Sequence, residues 1–329
     1  MGGHELLQDD TDNGSVSGGQ GMKMKPLMNF ADSVRARLLA IAKKENIQLE
    51  YLLLRYALER FLYRLGKSRY SDLFVLKGAS VFAVWLGPLC RVTRDADVEA
   101  IGRFDPETLV SIFKEICALE YREDAVEFLL DTVTWKEIKK EDKYPGVRIV
   151  FKALIGGARV NLQFDVGFGD SIYPAAEKES FPSMLGHENP MLRVYPKYTV
   201  VAEKFSTMIS RDMLNSRVKD YFDIWLISES FDLEEDVLRQ AIARTFNRRQ
   251  LALPQRMPKA LTTDYSSNPA RQSQWNALVR GVSGLNLPES FDMAIIQIVD
   301  FLAPFIGNTR PFNKMWVEKK RRWVDGVSE

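Results

Sequence analysis

From Ser33 to Gly66 apolar residues recur at helical spacing, as Val34, Leu38, Ile41 and Ala42, then Leu54, Ala57, Leu58, Phe61, Leu62 and Leu65. That period predicts two amphipathic helices, with Asn46 breaking them apart. Farther on the pattern shortens. Leu73 to Leu76 and Val98 to Ile101 are brief apolar runs, and Val126 to Ile138, Val147 to Ile155 and Arg159 to Val166 read as longer strands. Helices are expected at Val81 to Leu86 and at Pro106 to Leu119, the latter opened by a proline that suits a first turn. From Val200 onward only helical periodicity is read, at Val200 to Arg211, Arg217 to Ser228, Leu233 to Arg248, Ala270 to Val282 and Phe291 to Ile306. This order predicts an α+β fold with a mixed sheet, N-terminal helices and a C-terminal helical domain. The expected division is an α/β domain with its helices over residues 26–199 and a helical domain over residues 200–329. Residues 1–25 hold six glycines and few apolar side chains, so a disordered tail is expected there.

Composition narrows the chemistry more than the fold. The 329 residues are 46% hydrophobic and 27% charged, ordinary globular usage that excludes wholesale disorder and fibrous repeats. Forty-five Lys plus Arg against 44 Asp plus Glu leave a net charge of +1, so a nucleic-acid partner would have to meet a local basic patch. Two cysteines, Cys90 and Cys117, can build neither a disulfide framework nor a four-thiolate zinc site, and a cytoplasmic location is expected. The uncharged stretch from Gly78 to Cys90 spans 13 residues, too few to cross a bilayer, so no membrane partner is expected. Histidine is scarcer still, only His4 and His187, which removes Ser-His-Asp, Cys-His and His-rich metal chemistry. Catalysis here must run on carboxylates, lysines and metal ions.

Four stretches carry such groups. In Thr93-Arg94-Asp95-Ala96-Asp97-Val98-Glu99, strand alternation sets Asp95, Asp97 and Glu99 on one face, which makes either an Mg²⁺ site of hard oxygen ligands or a solvated acidic face. Lys77-Gly78-Ala79-Ser80, between a strand and a helix, is either a phosphate cradle or a plain strand-to-helix turn. It lacks P-loop and dinucleotide-fold spacing. In the strand through Val160, Leu162, Phe164 and Val166, Asp165 lies on the polar face, able to join Asp95 and Asp97 if the strands are neighbours. Lys204 sits among Val200, Val201 and Met208, and Asp220 and Asp223 share one stripe of an almost wholly apolar helix. Buried charges need partners, so Lys204, Arg217 and the two aspartates form either a structural ion-pair network or a polyphosphate clamp.

In this order the pieces resemble the AbiEii/AbiGii family of nucleotidyltransferase toxins, which includes the abortive-infection and MenT toxins. The resemblance runs from about Phe74 to Leu226 and rests on Lys77-Gly78-Ala79-Ser80, then Arg91, Thr93, Asp95 and Asp97, then Asp165, then Ala202-Glu203-Lys204, then Arg217, Asp220 and Asp223. Two positions depart from the family pattern, Ala79 in place of Gly or Ser and Ala96 in place of a bulkier aliphatic. The resemblance implies a polymerase-β-like nucleotidyltransferase fold. It implies that Asp95, Asp97 and Asp165 hold two Mg²⁺, that Lys77, Gly78, Ser80, Thr93, Lys204 and Arg217 bind the nucleotide, and that Asp220, with Asp223 the alternative, is the functional acid of the helical motif. It further implies transfer of a nucleotide from an NTP, with tRNA or another RNA as the leading acceptor and a cognate antitoxin as partner. A protein or small-molecule acceptor, or a non-catalytic nucleotide- or RNA-binding module, is the alternative. For RNA, the basic residues Arg244, Arg248 and Arg249 and the cluster Lys319, Lys320, Arg321 and Arg322 beside Trp316 and Trp323 could grip phosphates and stack bases, or could be solvated helix ends.

Overall fold

The computed structural model describes residues 27–88, 90, 93–138, 146–280, 282, 287–307, 311 and 313–325. The expectation for residues 1–25, and Arg91, lie outside them. In chain order the elements are α1 (Leu27–Glu45), α2 (Leu49–Lys67), β1 (Phe74–Lys77), α3 (Val81–Leu86), β2 (Ala96–Ala100), α4 (Pro106–Cys117), β3 (Val126–Ile138), β4 (Gly146–Ile155), β5 (Ala158–Phe168), β6 (Glu177–Ser180) and β7 (Met191–Val194). There follow α5 (Lys197–Arg211), α6 (Val218–Ser230), β8 (Leu233–Glu234), α7 (Glu235–Arg248), α8 (Thr263–Ser266), α9 (Pro269–Val279), α10 (Phe291–Leu302), β9 (Lys314–Val317) and β10 (Arg322–Asp325). Asn46, at φ 53°, turns the chain between the first two helices, a left-handed conformation that asparagine tolerates. Asp105 caps α4 by accepting from the Thr108 amide, ahead of Pro106 at the first turn.

A seven-stranded mixed sheet in the order β3-β4-β5-β2-β1-β7-β6 forms the centre. Strands β2 and β5 are parallel, β1 and β2 antiparallel, and β1 and β7 parallel. Alternation sorts the two faces. Ile149, Phe151 and Ala153 of β4 and Val160, Leu162, Phe164 and Val166 of β5 are buried. Phe61 of α2 packs there, its ring 4.5 Å from that of Phe164 and 5.1 Å from those of Phe151 and of Phe113 on α4. Asn161, Gln163 and Asp165 take the opposite face, so one side of the sheet builds the core and the other is left for chemistry.

Two outcomes differ from the sequence reading. Strands β6 and β7 complete the sheet although four residues each give too short a pattern to register. The region after Val200 is not purely helical, because β8, β9 and β10 form a three-stranded sheet. Lys314-Met-Trp-Val and Arg322-Trp-Val-Asp make a hairpin around Glu318–Lys320, with Arg321 in the left-handed region. Their basic residues masked the alternation. Trp316 is fully buried and donates from Nε1 to the Ser228 carbonyl, while Trp323 stacks on Phe301 at an interplanar angle of 1°. Trp316 is thereby a core residue closed to RNA bases, and Trp323 is a half-buried hairpin residue.

Candidate active site

The sheet brings the first three sequence clusters into one row. Lys77 of β1 lies directly opposite Asp97 of β2, Asp97 opposite Asp165 of β5, and Asp165 opposite Arg148 of β4. Directly opposed residues point to the same face, so Asp97 and Asp165 are lateral neighbours there. Asp95 lies one residue before β2 begins, half-buried, and Thr93 fixes it by donating from Oγ1 to its Oδ1 at 2.8 Å and to its carbonyl at 3.0 Å. Arg148 senses the whole array. Its guanidinium is held above its ordinary range first by the hydrogen bond it donates to Asp165 and then by the charges of Asp165, Asp95 and Asp97.

Gly78 is required by this geometry. It turns at φ +66° immediately after β1, and a Cβ there would collide with the Asp97 carboxylate. The backbone therefore closes against the acid in a way only glycine permits. The neighbouring phosphate cradle is less open than its sequence suggests. Gly78–Ser80 form a 3-10 turn, α3 is a short helix, and Ser80 is only 3% exposed.

Lys77, expected to meet the nucleotide, is held in a buried ion-pair network. Its Nζ donates to Glu99 Oε2 at 2.5 Å and to Asp170 Oδ2 at 2.8 Å, and the Asp170 amide donates to the other Glu99 oxygen at 2.7 Å. Gly167 makes room for this crossing, since a Cβ there would stand 2.6 Å from Nζ and 2.7 Å from Glu99 Oε2. Burial opposes the charge on Lys77, but Tyr195, Glu203, Asp170 and Glu99 outweigh it and keep the amine protonated well above its usual range. Glu99, which alternation sets beside Asp97, is thus neutralised by lysine. Glu203 closes the network from α5: burial, then Asp170, pushes its carboxyl up to about 7 against the pull of Lys77 and Arg249.

The fourth cluster assembles next to this one. Lys204 Nζ donates to Asp220 Oδ1 at 3.1 Å and pairs with Asp223 Oδ2 at 2.8 Å, and Arg217 Nε donates to Asp220 Oδ2 at 2.9 Å. Burial disfavours the Lys204 charge, yet Asp223 and Asp220 more than compensate and raise its affinity for the proton. Both aspartates therefore hold the motif lysine, and Asp220 also pairs with Arg217. Glu203 and Lys204, adjacent on α5, link this quartet to the Lys77 network.

Asp165, expected as a third metal ligand, is paired with an arginine. Arg148 grips it bidentately, Nε to Oδ1 and Nη2 to Oδ2 at 2.8 Å each. Among the described residues no three acidic, histidine or cysteine side chains converge as a ready ligand set. Asp95 and Asp97 nonetheless fit a hard divalent cation, being paired carboxylates whose field already stabilises a guanidinium beside them. Sequence reasoning missed Arg148, Asp170 and Tyr195. Arg148 was findable, since it alternates with Val147 and Ile149 on the polar side of a strand already recognised. Of the basic residues considered for RNA, Arg249 donates from Nη1 to the Glu203 carbonyl, Ser206 and Thr207, and Arg244 stacks 4.2 Å over Tyr173. Both brace the fold.

Crystal structures of a candidate nucleotidyltransferase from H. pylori and of JHP933 from Helicobacter pylori are similar to the chain. The first is 14% identical with a TM-score of 0.43, covering 77% of this chain and 92% of its own. The second is 13% identical with a TM-score of 0.43, covering 76% and 89%. No curated protein matches. The profile described as Nucleotidyl transferase AbiEii toxin, Type IV TA system, matches residues 60–297, which span the four clusters from Lys77 to Asp223. The chain belongs to the AbiEii family of nucleotidyltransferase toxins.

Proposed function

We propose that this nucleotidyltransferase is Mg²⁺-dependent and transfers a nucleoside monophosphate from an NTP to the 3′ end of an RNA, with tRNA the leading acceptor. The observation that carries the reading is the row Asp97, Asp165 and Arg148 across three adjacent strands, with Asp95 at its edge. Asp95 and Asp97 would hold Mg²⁺, which when bound lowers the pKa of the attacking hydroxyl and neutralises charge on the departing pyrophosphate. Asp165 serves as the carboxylate nearest the acceptor, and Arg148 keeps it aimed until substrate competes for the guanidinium. Gly78 lets the backbone approach the phosphates, and Thr93 holds Asp95 in its working rotamer. Lys204 and Arg217 supply positive charge toward the triphosphate, with Asp220 and Asp223 fixing the lysine in position. Positioning and electrostatics carry the rate, so no histidine is needed.

As a member of a type IV toxin family the protein is expected to have an antitoxin partner. Among the described residues no helix is long and apolar enough to cross a membrane. The test is to incubate the protein with each α-labelled NTP and, separately, with total RNA, total protein and small metabolites. Label in the RNA fraction, removed by 3′ exonuclease, is the expected result. Label confined to protein or metabolites rejects the RNA acceptor.

A further inference from the structure

The two carboxylates that would hold Mg²⁺ are fixed by different means. Asp97 lies inside β2 and is registered on both sides, against Lys77 of β1 and Asp165 of β5. Asp95 comes before Ala96, where β2 begins, so no strand ladder sets its position. Thr93 does, by donating from Oγ1 to the Asp95 carboxylate and carbonyl. Thr93 is in turn tied to α2, the helix whose Phe61 packs on the core side of the sheet. Its amide donates to the Tyr51 hydroxyl at 3.3 Å, and Arg55 Nη2 donates to the Pro88 carbonyl at 2.9 Å. Tyr51 and Arg55 are four residues apart, hence on one face of α2, and between and beside them Leu52, Tyr56 and Ala57 have no exposed surface. Arg55 is itself buried, its Nε has no hydrogen-bond partner, and among the described residues no carboxylate pairs with it. A buried guanidinium without an anion is costly. The one contact it makes is to the backbone of the segment that leads to Asp95.

We propose that Tyr51 and Arg55 are positioning residues for the metal-binding pair, holding Thr93 and Pro88 from α2 and, through Thr93, setting the Asp95 carboxylate against Asp97. The inference rests on the reading that Asp95 and Asp97 hold the cation, and it extends the site to a helix that none of the four sequence clusters contains. The Tyr51 hydroxyl matters because of what its loss leaves behind. Thr93 is a buried residue, and its amide would then lack its acceptor. An unsatisfied buried donor costs more than the bond it made, so the backbone at Thr93 shifts toward water or another acceptor. Oγ1 moves with it, and Asp95 has no ladder to keep it in place. Asp97, paired on both sides, stays where it is. The spacing of the two ligands therefore changes while the sheet and core do not, and a metal site responds to small errors in ligand placement.

The test uses the full chain and Mn²⁺ alone as the probe, with affinity read from the electron paramagnetic resonance signal of the free ion. Readings are taken well below each variant's thermal midpoint, so a loss of stability by itself leaves them unchanged. Tyr51→Phe should weaken Mn²⁺ binding by about two- to tenfold, the range of one hydrogen bond. Arg55→Met should weaken it as well, and Arg55→Lys, which keeps a donor for the Pro88 carbonyl, should lie closer to the wild type. If Arg55→Met does not fold, Tyr51→Phe still decides the matter. The route through Thr93 is tested by a double-mutant cycle: in a Thr93→Val background, which lacks Oγ1, adding Tyr51→Phe should have no further effect. Full additivity of the two changes overturns the route, and equal Mn²⁺ affinities for wild type and Tyr51→Phe overturn the inference while leaving the metal reading in place. A wild type that binds no Mn²⁺ overturns both.

Discussion

At the scale of single residues, the site depends on where protons and cations sit. Glu203 illustrates this, because its carboxyl is raised from 4.5 to about 7 by burial and by Asp170. The folded state therefore binds this proton more tightly than the unfolded chain, so its contribution to stability is full below about 4.5 and is lost as pH rises through about 7. Glu203→Gln, which cannot ionise, should flatten that part of the stability profile. Thermal midpoints measured from pH 5 to pH 8 should show the variant gaining on the wild type toward the alkaline end; parallel profiles would contradict the assignment. Residues were legible in the sequence to different depths. Asp95, Asp97, Asp165 and Lys204 announce themselves as charges in apolar surroundings. Arg148, a partner of Asp165, does not, because it looks like an ordinary polar position until strand register pairs the two.

At the scale of elements, buried charges join α5 and α6 at this point. Lys204, Asp220 and Asp223 have side-chain exposures of 13%, 4% and 2%. Removing the cation breaks both of its buried ion pairs, with Arg217 still on Asp220, a change that costs about 3–5 kcal/mol. Lys204→Ala should accordingly shift the denaturant midpoint strongly, and loss of activity in that variant must be read against loss of fold. An unchanged midpoint would mean that the pair is solvated. Element existence was readable wherever the period extended over several turns or strand residues, as for α2, α4 and β3 to β5. Short pieces were not. β6, β7, β9 and β10 have four residues each, and their identity comes from pairing with partners distant in sequence. That is tertiary information, which a local pattern does not hold.

At the scale of the whole molecule, buried apolar side chains from Val34 to Trp316 form one connected cluster that runs from the N-terminal helices to the last hairpin. Trp316, with no exposed surface, ties that hairpin to the end of α6 through Ser228. Trp316→Ala should destabilise the chain by about 3–5 kcal/mol in a single unfolding transition followed by circular dichroism. A separate early transition would show the hairpin to be an independent unit. The sheet order itself could not be read from the sequence, and yet it decides function, because only β2 beside β5 sets Asp97 next to Asp165. Transfer chemistry should therefore fail when one carboxylate of that row is neutralised without disturbing the fold. The most direct measurement is pyrophosphate release and label transfer from an α-labelled NTP by wild type and Asp97→Asn at matched thermal midpoints. A loss of about a hundredfold or more in the variant is the predicted result, and equal rates would contradict the account.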